Sequence, residues 1–320
     1  MLQEVVDNLL TDASGLYIDA TYGTGGHSAA LLSRLAPRGR VVALDCDTSV
    51  RFEHPRDPRA AAGHANYRLM EGFLRCASGA DGIVVDLGTS SDQVHDARRG
   101  LSYLHPGPLD MRVDPMRCAP LHSHLRLSDL GALHASLRDH GFARHAKAIA
   151  SRLLSLVRRH PTTLEVATAA CQHAWGRSAY GRHPAADAFR ALRSMANSEP
   201  QCLRELMRQA HALLKPNGRL ILITFDSYGE RVVRASIDRT VSLTLVRTVA
   251  PKAREVALNA GARSSLLHVL LRPGEQGAAA PPRAPSRAQR APLASNAHTP
   301  ICLPCSTIPP WLPQSWGRSI

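Results

Sequence analysis

The 320-residue sequence has few aromatic side chains, few acidic residues and no long apolar run. Phe, Trp and Tyr make up 4% of the chain, which argues against base stacking on an aromatic platform as the main mode of recognition. No run approaches the roughly 18 to 20 apolar residues of a membrane span, which excludes a transmembrane protein. The 39 Lys and Arg outnumber 26 Asp and Glu, and the net charge of +13 predicts a polyanionic partner such as RNA. A basic tail on a neutral domain is the alternative.

The cysteines form no disulfide framework. There are seven, an odd number, scattered along the chain, and no secretory signal opens the sequence. We therefore expect a reducing compartment. Cys302 and Cys305 have the spacing of half a zinc site, but no second pair follows at ligand spacing, so no metal is predicted.

Continuous apolar runs predict an α/β fold. Four of them are residues 16–19, 40–45, 82–87 and 219–225. Such runs, separated by helical segments, are typical of parallel strands that are covered on both faces. Two later runs, residues 242–249 and 264–271, predict an antiparallel pair that closes the sheet.

The composition changes twice along the chain. From about Pro115 to Pro200 strand patterns are absent, and residues 143–159 carry apolar side chains at helical spacing at positions 149, 153, 156 and 157. The 48 residues after Arg272 contain ten prolines and one acidic residue, which predicts disorder. The predicted units are a sheet domain in two parts (1–114 and 201–272), an inserted helical domain (115–200) and a tail (273–320).

A glycine-rich loop follows the first predicted strand. Its glycines are Gly23, Gly25 and Gly26, and His27 precedes a predicted helix over residues 28–35. Glycines let the backbone turn tightly and approach a ligand without a Cβ clash. We therefore predict that this loop binds a cofactor.

Two acids help to identify that cofactor. Asp45 ends the second strand, where a carboxylate can accept hydrogen bonds from a ribose diol of NAD or of S-adenosylmethionine (SAM). Asp19, just before the loop, suits the cationic methionine amine of SAM better than a pyrophosphate, although it could instead cap the turn. Asp86 ends a later strand at the ligand-binding edge of such folds. Phe73 could pack against an adenine or join the core.

Several longer motifs complete the pattern. They are Asp19-Ala-Thr-Tyr-Gly-Thr-Gly-Gly-His-Ser28, Ala43-Leu-Asp-Cys-Asp47, Asp81-Gly-Ile-Val-Val-Asp-Leu-Gly-Thr-Ser-Ser91, Arg99-Gly-Leu-Ser-Tyr103 and Gly107-Pro-Leu-Asp-Met-Arg112. Together they resemble the small-subunit rRNA cytosine-N4 methyltransferases of the MraW type and their mitochondrial counterparts. The resemblance covers about residues 1–272 and leaves the tail unexplained.

The resemblance implies a Rossmann-like SAM-dependent methyltransferase sheet with an inserted helical domain. The implied substrate is the exocyclic N4 amine of a cytidine in small-subunit rRNA or in the assembling small subunit. The implied SAM-binding residues are Gly25, Gly26, His27, Asp45, Phe73, Asp86 and Gln93.

Residues 98–112 are then expected to form part of the pocket for the target cytosine. We expect Asp86 to line the SAM and amine sites and to accept an amine hydrogen. Asp110 is a second candidate, which is expected to orient the base or, alternatively, only to pair with Arg112. The arginines expected to neutralise phosphates are Arg98, Arg99, Arg112, Arg152, Arg158 and Arg159.

The sequence also departs from the family pattern. A short His-x-Pro-Val stretch usually precedes the first helix, so we expect an N-terminal segment to be missing. Two prolines interrupt the helix usual between Asp47 and Asn66, and Asp226 replaces the histidine of a Phe-His-Ser-Leu-Glu-Asp-Arg motif. Because of these changes, the alternative of a ribosome-assembly factor that retains the SAM pocket but transfers no methyl group stays open.

A third alternative, an NAD-dependent oxidoreductase, depends on the glycine loop alone. The basic, acid-poor composition favours a mitochondrial location, with the bacterial cytoplasm as the alternative. The oligomeric state is left open.

Overall fold

The apolar runs form neighbouring strands of one seven-stranded sheet. A computed structural model describes residues 1–274 except 54–55, 72–78, 143–144, 158, 160, 175–182 and 241–242. The strands are β1 (Leu16–Asp19), β2 (Arg40–Asp45), β3 (Ala60–His64), β4 (Ala80–Asp86), β5 (Leu214–Thr224), β6 (Thr244–Val249) and β7 (Leu266–Leu271). Their order across the sheet is β3-β2-β1-β4-β5-β7-β6.

Strands β1 to β5 are parallel, and β7 runs antiparallel between β5 and β6. The predicted fold class, with its closing antiparallel pair, is therefore confirmed. One consequence is that the carboxyl ends of β1, β2, β3, β4 and β5 lie at the same edge. The loops that follow these strands can therefore contribute to a single site.

The edge strand β3 was not predicted from the sequence. It has the sequence Ala-Ala-Ala-Gly-His and pairs with β2 from Val41↔Ala60 to Asp45↔His64. Alanine and glycine are poor strand formers, so the pattern carried no strand signal. This strand occupies part of the stretch in which two prolines interrupt the family's usual helix.

Helices cover both faces of the sheet. The helices are α1 (Leu2–Leu9), α2 (Gly26–Leu32), α3 (Ser91–His95), α4 (Leu121–Leu127), α5 (Leu130–Asp139), α6 (Ala146–Val157), α7 (Thr163–Ala174), α8 (Pro184–Ala196), α9 (Glu199–Leu213), α10 (Ser227–Thr240) and α11 (Ala253–Leu258). Helices α1 and α2 contribute Val5, Leu9 and Leu31 to the apolar layer on one face. On the other face, α9 and α10 contribute Leu206 and Val233. None of the described helices is long and apolar enough to cross a membrane.

Helices α4 to α8 share an apolar core of their own. The stripe predicted from the sequence lies on α6, where Ile149, Leu153 and Val157 are buried and Leu156 is half-buried. These helices lie between β4 and β5 in the chain, as a helical insertion should. The exact domain boundaries remain a prediction. The predicted disordered tail lies almost entirely outside the described residues.

The segment that follows the 3₁₀ turn Ala97–Arg99 connects the sheet to the inserted helices. Gly107 donates its N–H to Thr163 Oγ1 (3.0 Å) and accepts one from the Thr163 backbone (3.0 Å). Asn197, after α8, donates to the Met111 carbonyl (2.8 Å) and accepts from the Val113 N–H (2.8 Å). The segment is therefore fixed against the helical core near both of its ends.

Gly107 should be intolerant of a side chain. A Cβ there would lie 2.0 Å from the Ala97 carbonyl oxygen, a backbone atom that can move only with the segment. We expect Gly107→Ala to lower the free energy of unfolding by about 1–3 kcal/mol in urea titrations. The control is Gly131→Ala in α5, where the nearest atom is a side-chain oxygen of Asp129 at 3.3 Å. That change should leave stability unchanged or raise it by up to about 1 kcal/mol. Equal effects of the two would contradict the prediction.

Candidate active site

Three carboxylates lie at the carboxyl edge of the sheet. Asp19, Asp45 and Asp86 are the last residues of β1, β2 and β4. Because these strands are parallel neighbours, the pattern of one acid per strand end becomes a cluster in three dimensions. Like charges that are buried together raise one another's pKa unless each has its own compensation.

The glycine loop presents backbone rather than side chains beside this cluster. Gly25 has a φ of +82°, and a Cβ there would lie 2.5 Å from the Tyr22 hydroxyl oxygen, so glycine is required. A Cβ at Gly23 or Gly26 would meet nothing within 4 Å. The loop therefore borders open space that a ligand can fill, as the sequence predicts for a cofactor loop.

Asp45 links the loop to the end of β2. One carboxylate oxygen accepts the Gly23 N–H (2.8 Å) and the other accepts the Asp47 N–H (2.9 Å). Burial raises the pKa of Asp45, while these two hydrogen bonds act in the opposite direction. Each oxygen keeps further acceptor capacity. The position and chemistry of Asp45 therefore suit the ribose diol for which it was predicted.

Asp19 is better suited to a supporting role than to ligand contact. Its side chain is fully buried and accepts a hydrogen bond from the Ser28 hydroxyl (2.7 Å). Burial raises the pKa of Asp19, and burial also lowers the pKa of the neighbouring His27. Because this carboxylate has no exposed surface, it is better placed to hold α2 against β1 than to contact the methionine amine. This is the turn-capping alternative.

Asp86 is the carboxylate of this cluster that has a buried oxygen without a hydrogen-bond partner. Among the buried side-chain polar atoms of the described residues, only Asp86 Oδ1 and His64 Nδ1 have no hydrogen-bond partner. Burial, with a smaller contribution from Asp19, raises the pKa of Asp86 to about 7. A carboxyl group that accepts no hydrogen bond from the protein is available to accept one from a ligand, and perturbed groups of this kind are typical of active sites.

Gln93 lies next to the acid cluster and is largely occupied by the protein. Its Oε1 accepts the Ser90 N–H (3.0 Å), and Ser90 Oγ accepts the Gln93 N–H (3.2 Å), which forms a capping box at the start of α3. Its Nε2 donates to Asp47 Oδ2 (2.8 Å). The capping box and Asp47 hold this amide in place at the predicted cofactor pocket.

The predicted RNA-contacting arginines differ in their surroundings. Arg98 is 89% exposed and pairs with Asp96 (2.9 Å), whereas Arg99 is 18% exposed and pairs with the buried Asp47 (2.7 Å). The geometry therefore favours Arg98 over Arg99 for a contact with phosphate. Arg152 and Arg159 are exposed, and Arg158 lies outside the described residues.

Asp110 and Arg112 form the pair that the sequence left as an alternative. Both guanidinium–carboxylate distances are 2.7 Å, and both side chains are partly exposed. Burial raises the pKa of Asp110, but the hydrogen bonds from Arg112 outweigh it and leave the pKa below its usual value. Between them Met111 has a φ of +59° and is fully buried in the helical core. The buried Met111 thus fixes where this pair lies.

Asp226 has a structural role in place of the family's histidine. Its Oδ1 accepts the Gly229 N–H (2.7 Å) at the start of α10, and its other oxygen lies 3.8 Å from Arg190 Nε of α8. A carboxylate near a helix N-terminus is favourable because it satisfies a free N–H and complements the helix dipole. The substitution is therefore accommodated locally.

Phe225 is a site feature that the sequence pattern did not single out. It follows β5 at the same edge and is 39% exposed, and its ring lies beside Gly88, two residues after Asp86, where a Cβ would be 3.5 Å from Phe225 Cδ2. Its exposure could not be predicted, because the residue ends an apolar run that otherwise forms a buried strand. Phe73 of the predicted site lies outside the described residues. No three His, Cys, Asp or Glu side chains of the described residues come together as a metal-binding group.

An open, mostly parallel sheet that carries a glycine loop and a strand-end carboxylate at its carboxyl edge is typical of Rossmann-like proteins that bind nucleosides. A profile of the MraW methylase family matches residues 1–288, and the chain belongs to that family. This membership confirms the resemblance seen in the motifs, the prediction of a methyltransferase and the choice of SAM over NAD.

Relatives extend over nearly the whole chain. A ribosomal RNA small subunit methyltransferase H from Tremblaya princeps is 67% identical over 285 residues, which cover 88% of this chain and 95% of that protein. The protein of the same name from Methylibium petroleiphilum is 36% identical over 296 residues, which cover 84% and 93%. A solved rRNA methylase structure from Streptococcus thermophilus aligns with 11% identity and a TM-score of 0.39 over 85% of this chain and 93% of that one.

Asp86→Asn should stabilise the protein in a pH-dependent way. Because the pKa of Asp86 is about 7 in the folded state and near its ordinary value when unfolded, the folded state binds more protons between about pH 4 and 7. Stability from this group therefore falls as the pH rises through that window. At pH 8 we expect Asp86→Asn to raise the free energy of unfolding by roughly 1–3 kcal/mol, the unpartnered amide offsetting part of the gain.

The comparison is made by urea unfolding at pH 5 and pH 8. At pH 5, where Asp86 is still protonated in the folded state, the gain should be smaller by roughly 2–3 kcal/mol than at pH 8. The control is Asp7→Asn, an exposed carboxylate whose pKa the Arg34 hydrogen bond lowers, and it should give no stabilisation at either pH. A gain from Asp86→Asn that is the same at both pH values would contradict the assignment.

Proposed function

We propose that the chain transfers the methyl group of SAM to the exocyclic N4 amine of a cytidine in small-subunit rRNA. Family membership and two relatives named as small-subunit rRNA methyltransferases support the reaction class and the substrate. The observation that carries the choice of an amine acceptor is Asp86 Oδ1, a buried carboxylate oxygen without a partner at the ligand-binding edge.

The residues at this edge fit SAM. The space beside Gly23 and Gly26 admits the cofactor against bare backbone, and Asp45 offers acceptors for the two ribose hydroxyls. When bound, SAM supplies a sulfonium-activated methyl group. Its positive charge suits a cluster of carboxylates, of which Asp86 has the least compensation.

Asp86 gives the site a means of activating the amine. The N4 lone pair of cytosine is delocalised into the ring, so attack needs close alignment and an acceptor for an amine hydrogen. A carboxylate with a pKa of about 7 is more basic than an ordinary aspartate and is still substantially deprotonated at neutral pH. We assign Asp86 as the group that orients the amine and accepts its proton.

The surroundings of Asp86 suit a base that has been turned out of its helix. Phe225 presents an exposed aromatic face beside Gly88, and aromatic faces stack on extruded bases. The Asp110–Arg112 pair supplies hydrogen-bonding groups on the segment assigned to the target cytosine. In this arrangement Phe225 stacks on the face of the base, and the side chains of Asp110 and Arg112 form hydrogen bonds with its polar edge.

The positive charge that attracts RNA belongs mainly to the folded part of the chain. The tail from residue 273 contains four arginines and one glutamate, so +10 of the net +13 lies in residues 1–272. This distribution removes the alternative of a basic tail on a neutral domain. The relatives are bacterial, which supports a bacterial cytoplasm as the location and gives the mitochondrial prediction no support.

The assembly-factor alternative is weaker than the enzyme. Its motivation was the change at Asp226, and that carboxylate has a local role at the N-terminus of α10. Asp86, the glycine loop and Asp45 are all present at the sheet edge. The NAD-dependent oxidoreductase is excluded by membership in a methylase family.

The proposed function is tested by methyl transfer from labelled SAM to unmodified small-subunit rRNA, followed by nucleoside analysis. We expect N4-methylcytidine, with a value of kcat/KM that rises with pH through about 7 as Asp86 loses its proton. Asp86→Asn should reduce the rate by at least roughly 100-fold, and the control Asp7→Asn should not change it. Tight SAM binding without transfer would favour the assembly factor, and a methyl group on any other atom would overturn the assignment.

Arg98 should contribute to RNA affinity through charge alone. It is highly exposed, and its pairing with Asp96 leaves it accessible to phosphate. We expect Arg98→Gln to weaken RNA binding at low salt and to reduce the slope of log affinity against log salt by about 1. The control is Arg34→Gln, which removes an exposed, ion-paired arginine just after α2, at the other end of that helix from the glycine loop. Equal slopes for the two variants would contradict a phosphate contact at Arg98.

A further inference from the structure

Asp47 carries a buried charge and has no role in the methyl transfer proposed above. Only 1% of the residue is exposed, and it accepts hydrogen bonds from side chains on three sides: Arg99, Gln93 and Ser49. Burial opposes its charge, but these hydrogen bonds outweigh it and lower the pKa to about 2. Asp47 is therefore ionised throughout the physiological range, and its partners must be held in place to keep it so.

Arg99 is bound to Asp47 at two points. Its two terminal nitrogens lie 2.7 and 2.8 Å from the two carboxylate oxygens, a bidentate pair that fixes the plane of the guanidinium. One of these nitrogens also donates to Ser49 Oγ (2.8 Å). Removing one partner of a buried pair leaves the other charge uncompensated, so the two residues stabilise their positions mutually.

The pair joins the two halves of the candidate active site. On the cofactor side, the Asp47 N–H donates to Asp45 Oδ1 (2.9 Å) and its carboxylate accepts from Gln93 (2.8 Å). On the substrate side, the Arg99 carbonyl accepts the Met111 N–H (2.8 Å), between Asp110 and Arg112. The opposite side of this segment is held by Thr163 and Asn197 of the helical insertion.

We propose that Asp47 is a positioning residue for methyl transfer, which holds residues 99–112 through Arg99 against the cofactor edge of the sheet. This inference rests on the proposed function for its effect on turnover. It also reassigns Arg99, whose guanidinium contacts Asp47 and Ser49, from binding phosphate to holding the segment. Arg99→Gln should accordingly leave the salt dependence of RNA binding unchanged, unlike Arg98→Gln.

The test uses Asp47→Asn in the full chain, which keeps the shape of the side chain and removes its charge. The control is Asp57→Asn, which alters a similar bidentate pair, with Arg59, on the same β2–β3 connection. A misplacement of about 1 Å can lower a rate by about 100-fold. We expect the kcat for rRNA to fall roughly 100-fold in Asp47→Asn, while the Kd for SAM changes by less than a factor of about 5 and Asp57→Asn matches wild type in both.

Amide hydrogen exchange provides a readout that does not depend on activity. Residues 100–112 should exchange faster in Asp47→Asn than in wild type, whereas β4 and β5 should be unchanged. If Asp47→Asn fails to fold, Arg99→Lys carries the same test, because it keeps the charge but loses the bidentate geometry. It should give a smaller loss of kcat and a smaller rise in exchange.

Three outcomes would overturn the proposal. They are an unchanged exchange rate in residues 100–112, faster exchange spread evenly over the whole sheet, and a loss of SAM affinity as large as the loss of kcat. If the wild type methylates no cytidine, the proposed function fails, but the exchange measurement still decides whether Asp47 anchors the segment.

Discussion

Four carboxylates at the carboxyl edge of the sheet, three of them buried and Asp86 half-buried, are the constraint on which the candidate site depends. Parallel strands bring Asp19, Asp45 and Asp86 together, and Asp47 lies two residues after Asp45. Placing charges in a poorly solvated region costs several kcal/mol each unless they are compensated. Asp19, Asp45 and Asp47 accept hydrogen bonds from a hydroxyl, from backbone N–H groups and from an arginine, whereas Asp86 Oδ1 accepts none and the pKa of Asp86 rises to about 7. The uncompensated carboxyl is therefore the one with free capacity for a cationic ligand and an amine.

Buried contacts on both sides of one segment also connect the two cores of the protein. The helical insertion has its own apolar core, and the sheet has another on each face. The segment between them holds Met111 inside the helical core at a positive φ, a conformation that costs an L-residue energy and persists only where the surroundings enforce it. Because Met111 is fixed from one side and Arg99 from the other, Asp110 and Arg112 have little freedom to move relative to the sheet. Such rigidity suits the role proposed for this segment, which is to present a base to a methyl group.

Local patterns in the sequence predicted the parts of the fold and site that depend on neighbouring residues. Continuous apolar runs marked the buried strands, and glycines next to an acid marked the cofactor loop, since both signals lie within a few residues. The strand β3 was missed because Ala-Ala-Ala-Gly-His has no strand propensity of its own, and only its pairing with β2 makes it a strand. The role of Arg99 was missed for a related reason: its partner Asp47 is 52 residues away, and no spacing rule joins them.

Arg98 and Arg99 show why charge alone is a poor guide to an RNA surface. They are adjacent and chemically identical, yet one is 89% exposed and the other 18%. An arginine in a bidentate pair with a buried acid has already lost its hydration and found its counter-charge, so phosphate offers it little further gain. An exposed arginine gains from phosphate because counterions are released into solution. The net charge of +13 therefore does not identify which arginines contact RNA, and the role proposed for Arg99 depends instead on the geometry of the site that it holds together.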